Sequence, residues 1–301
     1  MDSAKDKHTG QIVDGEQLWY INNVDKDAYV CRGCNVPINP VSYEKGLKRR
    51  PHFRELNGHP HKGWCKIEGE IELIKKAKKQ KITTPQGFPA SFPNKLELIG
   101  ERDKIDKEKS NQADDNLAKR TSSQSEEGSN LSTTTSKWTA RTIRPICRTY
   151  CNFPKDRDLP LLISNLYGDT YNDVIRRLSS KEIVIYTKNH LLYAPLGWQK
   201  IHKDNDKLII YLGYGYWINN KLIPYKVQVN IGDWSKSKIN YVLEELNIAI
   251  YDSKQVKDKD KKTKVKSWLF FIGEQSLDSP EIFIVNDHRL ICCLTLEMKS
   301  Y

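Results

Sequence analysis

Hydrophobic and polar positions follow two rhythms along this chain, separated by a stretch almost free of large apolar residues. In the second half, short runs rich in β-branched and aromatic residues recur at Glu182–Lys188 (EIVIYTK), Leu191–Trp198, Lys207–Ile218 (KLIIYLGYGYWI), Lys226–Ile231, Trp268–Gly273, Glu281–Val285 and Leu290–Met298. Several alternate apolar with polar, the period of a half-buried strand. Asn219-Asn220, between two such runs, has the composition of a tight hairpin turn. Two segments carry helical spacing instead. Thr170–Ser180 is short; Ser235–Gln255 is longer, with Ile239, Val242, Leu243, Leu246, Ile248, Ala249 and Ile250 apolar and Ser235 or Ser237 placed to cap it. The strands follow one another too closely for repeated crossover helices. The pattern therefore predicts an α+β domain over residues 138–301, mainly antiparallel, with two helices.

The first half reads differently. Residues 1–16 are polar and are expected to form a flexible N-terminus. Gln17–Val24 and Ala28–Cys34 resemble short strands leading into a knuckle. A helix is expected to begin near Cys65, because Ile67, Ile71, Leu73, Ile74 and Ala77 recur near helical spacing, with Glu68, Glu70 and Glu72 early and Lys75, Lys76, Lys78 and Lys79 late, as a helix dipole favours. Thr83–Pro93 is interrupted by prolines and should be an extended tail. These elements make residues 17–99 one module. Residues 100–137 mix charges and then turn rich in Ser and Thr; they cannot bury enough surface to offset ordering entropy and read as a disordered linker.

Charge and cysteine usage narrow the chemistry. The net charge of +11 raises the local potential toward polyanions, which makes nucleic acid a natural partner and a solvated basic surface the plain alternative. No secretory signal opens the sequence and no run of ~18 apolar residues occurs, so a cytoplasmic protein is expected. Seven cysteines is an odd count for a disulfide framework, and C-x2-C in a reducing compartment points to metal or redox chemistry. Cys31 and Cys34 can present two thiolates from one tight turn, with Gly33 supplying backbone freedom; His61 and Cys65, four apart at a helix start, can complete a tetrahedral site. Four protein ligands leave no open position, so a structural zinc is the expected cofactor. His52 is the alternate ligand and His59 a third, and a reduced core pair or redox motif is the competing reading of C-x2-C.

Cys31, Cys34, the Pro51-His52-Phe53 triplet and Cys65, followed by a Glu-containing helix, resemble the N-terminal zinc ribbon of competence protein CoiA-like bacterial proteins over residues 17–80. The resemblance implies a zinc-ribbon or treble-clef-like module and a role in bacterial handling of foreign DNA or anti-phage defence. That family often carries a second histidine two residues after the aromatic, where Glu55 stands here. The carboxylate and lysine pattern of its nuclease-type domain does not follow Cys65, so nuclease activity is not carried over.

Lys48, Arg49, Arg50, Arg54 and Lys62 surround the metal residues, interleaved with Tyr43, Phe53 and Trp64, and Arg144 and Arg148 lie in an arginine-dense segment of the second half. These are the candidate nucleic-acid contacts, as basic side chains neutralise phosphates and exposed aromatics stack on bases. Phe53 and Trp64 suit a small core equally well, and an ion-paired entry strand and turn is the plainer account of Ala140–Leu162. Cys147, Cys151, Cys292 and Cys293 are expected to be core thiols, since the adjacent pair must face opposite sides of a strand. The catalytic candidates are His288, Asp287 and Glu274, with nothing in the sequence fixing their mutual geometry. The reading is a zinc-containing nucleic-acid-binding or adaptor protein, with a metal-dependent nucleic-acid hydrolase and a protein-assembly scaffold as its alternatives, and with the linker tethering two domains.

Overall fold

The computed structural model describes all residues except Asp2, Asn22, 45–49, Trp64, 66–68, 99–136, Lys181, Asn220 and 299–301, and the side chains of Glu16, Tyr20 and Ile71. The N-terminal module contains β1 (Ser3–Asp6), β2 (Ile12–Asp14), β3 (Tyr29–Val30), β4 (Ile38–Val41), β5 (His52–Glu55) and helix α1 (Glu70–Ala77). β1 pairs antiparallel with both β2 and β3, and β4 pairs with β5. The flexible start expected for residues 1–16 is corrected by these strands. The chain terminus is pinned, because Met1 donates from its amino group to the Phe53 carbonyl and accepts from the Phe53 N–H, both at 2.8 Å.

Gln17–Val24, expected as a strand, instead begins inside a 3-10 helix over Gly15–Tyr20. The Gln17 carboxamide accepts the Asp14 N–H at 2.7 Å and closes a capping box there. Gly15 is required at the entry: a Cβ would stand 2.4 Å from the Pro51 carbonyl oxygen. The turn sends neighbouring side chains to different places. Leu18 fills the core of the N-terminal module, whereas Trp19 enters a core of the second domain, its ring centroid 6.1 Å from that of Tyr241.

The rest of the chain runs β6 (Phe92–Leu96), β7 (Lys137–Ala140), α2 (Ile143–Asn152), β8 (Leu162–Ile163), α3 (Tyr171–Val174), β9 (Ile175–Arg177), β10 (Leu191–Pro195), β11 (His202–Lys203), β12 (Lys207–Ile218), β13 (Lys221–Asn230), α4 (Lys236–Lys259), β14 (Val265–Ile272), β15 (Glu274–Gln275), β16 (Ile282–Val285) and β17 (Ile291–Glu297). Three sheets result, ordered β17-β14-β10-β9, β11-β12-β13-β16-β15 and β7-β6-β8. Most pairings are antiparallel and helices are present, so the class is α+β as expected; β9–β10, β13–β16 and the whole β7-β6-β8 sheet are parallel.

β6 changes the domain picture. It lies in the tail assigned from sequence to the first module, yet it sits between β7 and β8 of the second domain. The segment before it is fastened by Asp156, a buried carboxylate that accepts the N–H groups of Ile82 and Thr83 and the Thr83 hydroxyl at 2.6–3.2 Å. With Trp19 also inserted, the first module is docked on the second domain rather than held only by a tether. Residues 100–136 of the expected linker lie outside the described residues, and Lys137 begins β7.

Two further differences have local causes. Ile143–Asn152 is a helix, not an entry strand: Ile143, Ile146, Cys147, Tyr150 and Cys151 are buried at helical spacing, and Pro145 falls in the first turn, where its missing N–H costs nothing. Glu182–Lys188 is not a strand. Its backbone is satisfied by the Gln275 side chain, whose oxygen accepts the Tyr186 N–H at 2.9 Å and whose amide donates to the Val184 carbonyl at 2.9 Å. Thr170–Ser180 yields only the short α3 before β9. Ser235 caps α4, accepting the Lys238 N–H. No helix among the described residues is long and apolar enough to cross a membrane.

Candidate metal centre

β3 ends at Val30 and the chain turns sharply, the Cys31 N–H bonding the Val36 carbonyl and the Asn35 N–H the Cys31 carbonyl. Asn35 adopts a left-handed φ of 56°, and the Gly33 N–H donates to Cys31 Sγ at 3.3 Å. This knuckle presents Cys31 and Cys34 to a second turn, in which the Cys65 N–H bonds the Lys62 carbonyl at 2.7 Å. His61 and Cys65 therefore converge from a loop, and α1 starts only at Glu70. The helix-start geometry expected for this pair is corrected, while the pairing stands.

The ligand atoms of Cys31, Cys34, His61 and Cys65 all lie within 4.8 Å of one another, and this group could hold a metal ion. Cys31 and Cys65 Sγ are 3.7 Å apart, and His61 Nδ1 lies 3.2 Å from Cys34 Sγ and 3.5 Å from Cys65 Sγ. Sulfurs held about 2.3 Å from one tetrahedral ion are separated by about 3.8 Å, so the spacing fits closed four-coordination. The thiols divide their acidity unevenly. Burial pushes the Cys31 thiol up to about 12, aided by its contacts with Cys34 and Cys65. At Cys34 burial works the same way but is outweighed by the hydrogen bond from His61 and by the backbone N–H groups of Val36 and Lys62, which bring it down to about 6. Ionising all three sulfurs at this spacing would set like charges against one another, and a divalent cation at their centre is the chemistry that would relieve it.

The surroundings orient this set. His61 Nε2 lies 3.2 Å from a Glu55 carboxylate oxygen, which leaves Nδ1 to face the thiols. Arg32, inside the knuckle, clamps both Glu70 oxygens at 2.7 and 2.8 Å and ties the site to α1. Neither Glu55 nor Arg32 was singled out from sequence as a supporting residue. His52 is outside the cluster, its Nδ1 bonded to the Arg50 carbonyl at 3.0 Å, and His59 is also outside it. Phe53 is fully buried against Tyr29, centroids 5.1 Å apart, and so belongs to the small core; Trp64 lies outside the described residues.

The basic candidates separate. Lys48 and Arg49 lie outside the described residues, and Arg54 and Lys62 are exposed. Arg144 is corrected: its side chain is 1% exposed and pairs with the equally buried Glu245, so it cannot reach a polyanion. The pair caps the outer edge of β17, since the Cys293 N–H donates to Glu245 and the Cys293 carbonyl accepts from Arg144 at 3.2 Å. Arg148 is partly exposed, 3.5 Å from Asp14. Arg50, 3.6 Å from Asp252, joins it in a groove of about 900 Å³ where the module meets the second domain. His52, Lys259, Asn152 and Gln255 also line that groove, and Asp252 is the single acid among its described lining residues.

Two of the catalytic candidates are in contact, His288 Nδ1 lying 3.4 Å from an Asp287 carboxylate oxygen. Glu274 and Asp287 line one cleft of about 620 Å³, but Asp287 is engaged by Arg289 and caps the short 3-10 turn that follows it. His288 is buried edge-on against Trp234 and Tyr241. Cys292 and Cys293 face separate cores, and Cys147 and Cys151 share the first of these, as expected of packing thiols. No protein-family model, curated protein or solved structure matches the chain.

Proposed function

We propose that the protein is a zinc-containing nucleic-acid-binding or adaptor protein, in which Cys31, Cys34, His61 and Cys65 hold a structural zinc. Soft thiolates with one imidazole suit zinc, and four filled positions give the ion a folding role rather than a catalytic one. The observation that carries the reading is the groove at the domain junction. Arg50, Arg148 and Lys259 line it, Arg50 facing Asp252 and Arg148 facing Asp14, and a groove with this excess of cations among its described lining residues can follow a phosphate backbone. The metal would hold one wall of it, because His52 opens, and Arg50 just precedes, the hairpin strand that ends in Glu55 beside His61. The resemblance of residues 17–80 to CoiA-like ribbons extends the proposal to a cytoplasmic bacterial role in handling foreign DNA, a step that rests on analogy alone.

The test uses the full chain, because residues 82–96 belong structurally to the second domain. Zinc is measured by elemental mass spectrometry, and labelled single- and double-stranded DNA and RNA are titrated at two salt concentrations beside Cys65→Ser. One zinc per chain with steeply salt-dependent binding that weakens in Cys65→Ser supports the reading. Zinc without binding transfers the weight to a protein scaffold. Metal-dependent cleavage that survives Cys65→Ser and disappears in Glu274→Ala would establish the hydrolase instead.

A further inference from the structure

The hairpin of β12 and β13 outgrows the sheet that carries it. β11 pairs with β12 only at Leu208 and Ile209, and β16 pairs with β13 only over Lys226–Val229. A single bridge from Leu196 reaches Leu212. Beyond that point Gly215–Ile218 and Lys221–Pro224 pair only with each other among the described residues, and Ile218 meets Lys221 across the turn that Asn219 enters with a φ of 48°. The root is firmly held. Tyr225 donates to the Glu182 carbonyl at 2.8 Å, the Arg177 guanidinium lies 5.0 Å from the Tyr214 ring centroid, and Gly215 permits a backbone approach in which any Cβ would stand 2.0 Å from the Ile223 oxygen.

The tip is apolar without being core. Trp217 is 63% exposed and Ile218 50% exposed, on a two-stranded ribbon of a kind that gains little stability by itself. Its charge is one-sided: residues 207–232 contain Lys207, Lys221 and Lys226 and no Asp or Glu, in a chain with 38 acids. Lys221 stands opposite Ile218, next to the Trp217–Leu222 pair, so an indole and a lysine share the tip from opposite faces of the ribbon; with acids excluded over the whole hairpin, that tip is complementary to a ligand that is aromatic and anionic at once. Unpaired nucleotides are that ligand, because their bases offer open faces for stacking and their phosphates follow at regular intervals. A duplex offers such faces only at its ends.

We infer that this arm is a second nucleic-acid contact, at which Trp217 stacks on an unpaired base and Lys221 meets an adjacent phosphate. The inference rests on the nucleic-acid reading above and adds a site to it. The experiment titrates the full chain with fluorescein-labelled oligothymidine, oligouridine and a blunt duplex, and compares wild type with Trp217→Ala, Trp217→Phe and Lys221→Glu. Circular dichroism checks that each variant is folded, which the exposure of these side chains favours. Trp217→Ala should weaken single-strand binding about ten-fold, as loss of one stacked base does, while Trp217→Phe retains most of the affinity and duplex binding changes little. Lys221→Glu should weaken binding and flatten its salt dependence. Single-strand affinity unchanged in Trp217→Ala overturns the inference. So does a change confined to sedimentation mass or to flotation with anionic vesicles, since the arm would then cover a second copy or a lipid surface. Wild-type protein that binds no nucleic acid removes the functional reading itself, whereas binding that ignores Trp217 removes only the arm.

Discussion

The N-terminal module and the second domain solve the same problem with different materials. Among the described residues the module's core cluster holds nine buried residues, three of them Cys31, Cys34 and Cys65, so a third of its members carry a thiol of the candidate metal cluster. The second domain packs two large apolar clusters on either side of the sheet that contains β10, β14 and β17, and its cysteines serve as ordinary filling. Apolar burial scales with area, and a core this small cannot offset its ordering entropy without a cross-link. The difference teaches where to look for fragility: in the module it is chemical, in the second domain it is mechanical.

The largest effect should come from taking the proposed zinc away. Chelation, or Cys34→Ser, should abolish hydrogen-exchange protection across β3, β4 and β5 while β10, β14 and β17 keep theirs, because binding free energies on the order of 10 kcal/mol are at stake. A single cooperative loss of protection over the whole chain would break the comparison. The second domain has its own weak point in the buried Arg144–Glu245 pair. Arg144→Ala should cost about 3–5 kcal/mol in denaturant titration by leaving Glu245 uncompensated, and Arg144→Met with Glu245→Leu should recover most of it. Equal losses in the single and double variants would show the ion pair to be worth its burial.

Smaller changes sharpen the contrast. Glu55→Ala should lower zinc affinity about 10–100-fold in competition with a chromophoric chelator, whereas His52→Ala should leave it unchanged. The smallest effect belongs to Asp287. Burial opposes its ionisation, but Arg289 holds the carboxyl below the usual carboxylate range. A depressed folded-state pKa contributes stability above the unfolded value and loses it as pH falls through the folded one. Asp287→Asn should therefore cost under about 1 kcal/mol at neutral pH, with the deficit vanishing in acid, and any hydrolytic activity should persist.

Local spacing was enough to read the ligand set. C-x2-C and H-x3-C each fix two atoms within one turn, and a turn is encoded by its own residues. What supports the site was not legible. Glu55 reaches His61 only because a hairpin and a loop are folded together, and no window of sequence contains that approach. The longer strands of the second domain, β10, β12, β13, β14 and β17, together with β16, were readable because β-branched and aromatic runs bury one or both faces, whereas the other six were not. Glu182–Lys188 has the same composition but finds its backbone partner in a side chain eighty-nine residues away, from Tyr186 to Gln275. Arg144 misled because an arginine in a basic segment looks like a surface residue until the helix that carries it is recognised.

The β7-β6-β8 sheet has a consequence for how the chain can be divided. β6 and β7 lie side by side and parallel, with Phe92 opposite Lys137 and Leu96 opposite Ala140. The end of β6 and the start of β7 therefore stand at opposite ends of the paired segment, about 13 Å apart along the strands at the usual rise per residue. Backbone hydrogen bonds and the apolar contacts of Phe88 and Phe92 join the two halves independently of the chain that connects them. A protein severed within residues 99–136 should thus behave as a complementing pair, with two separately expressed polypeptides reassembling into one body.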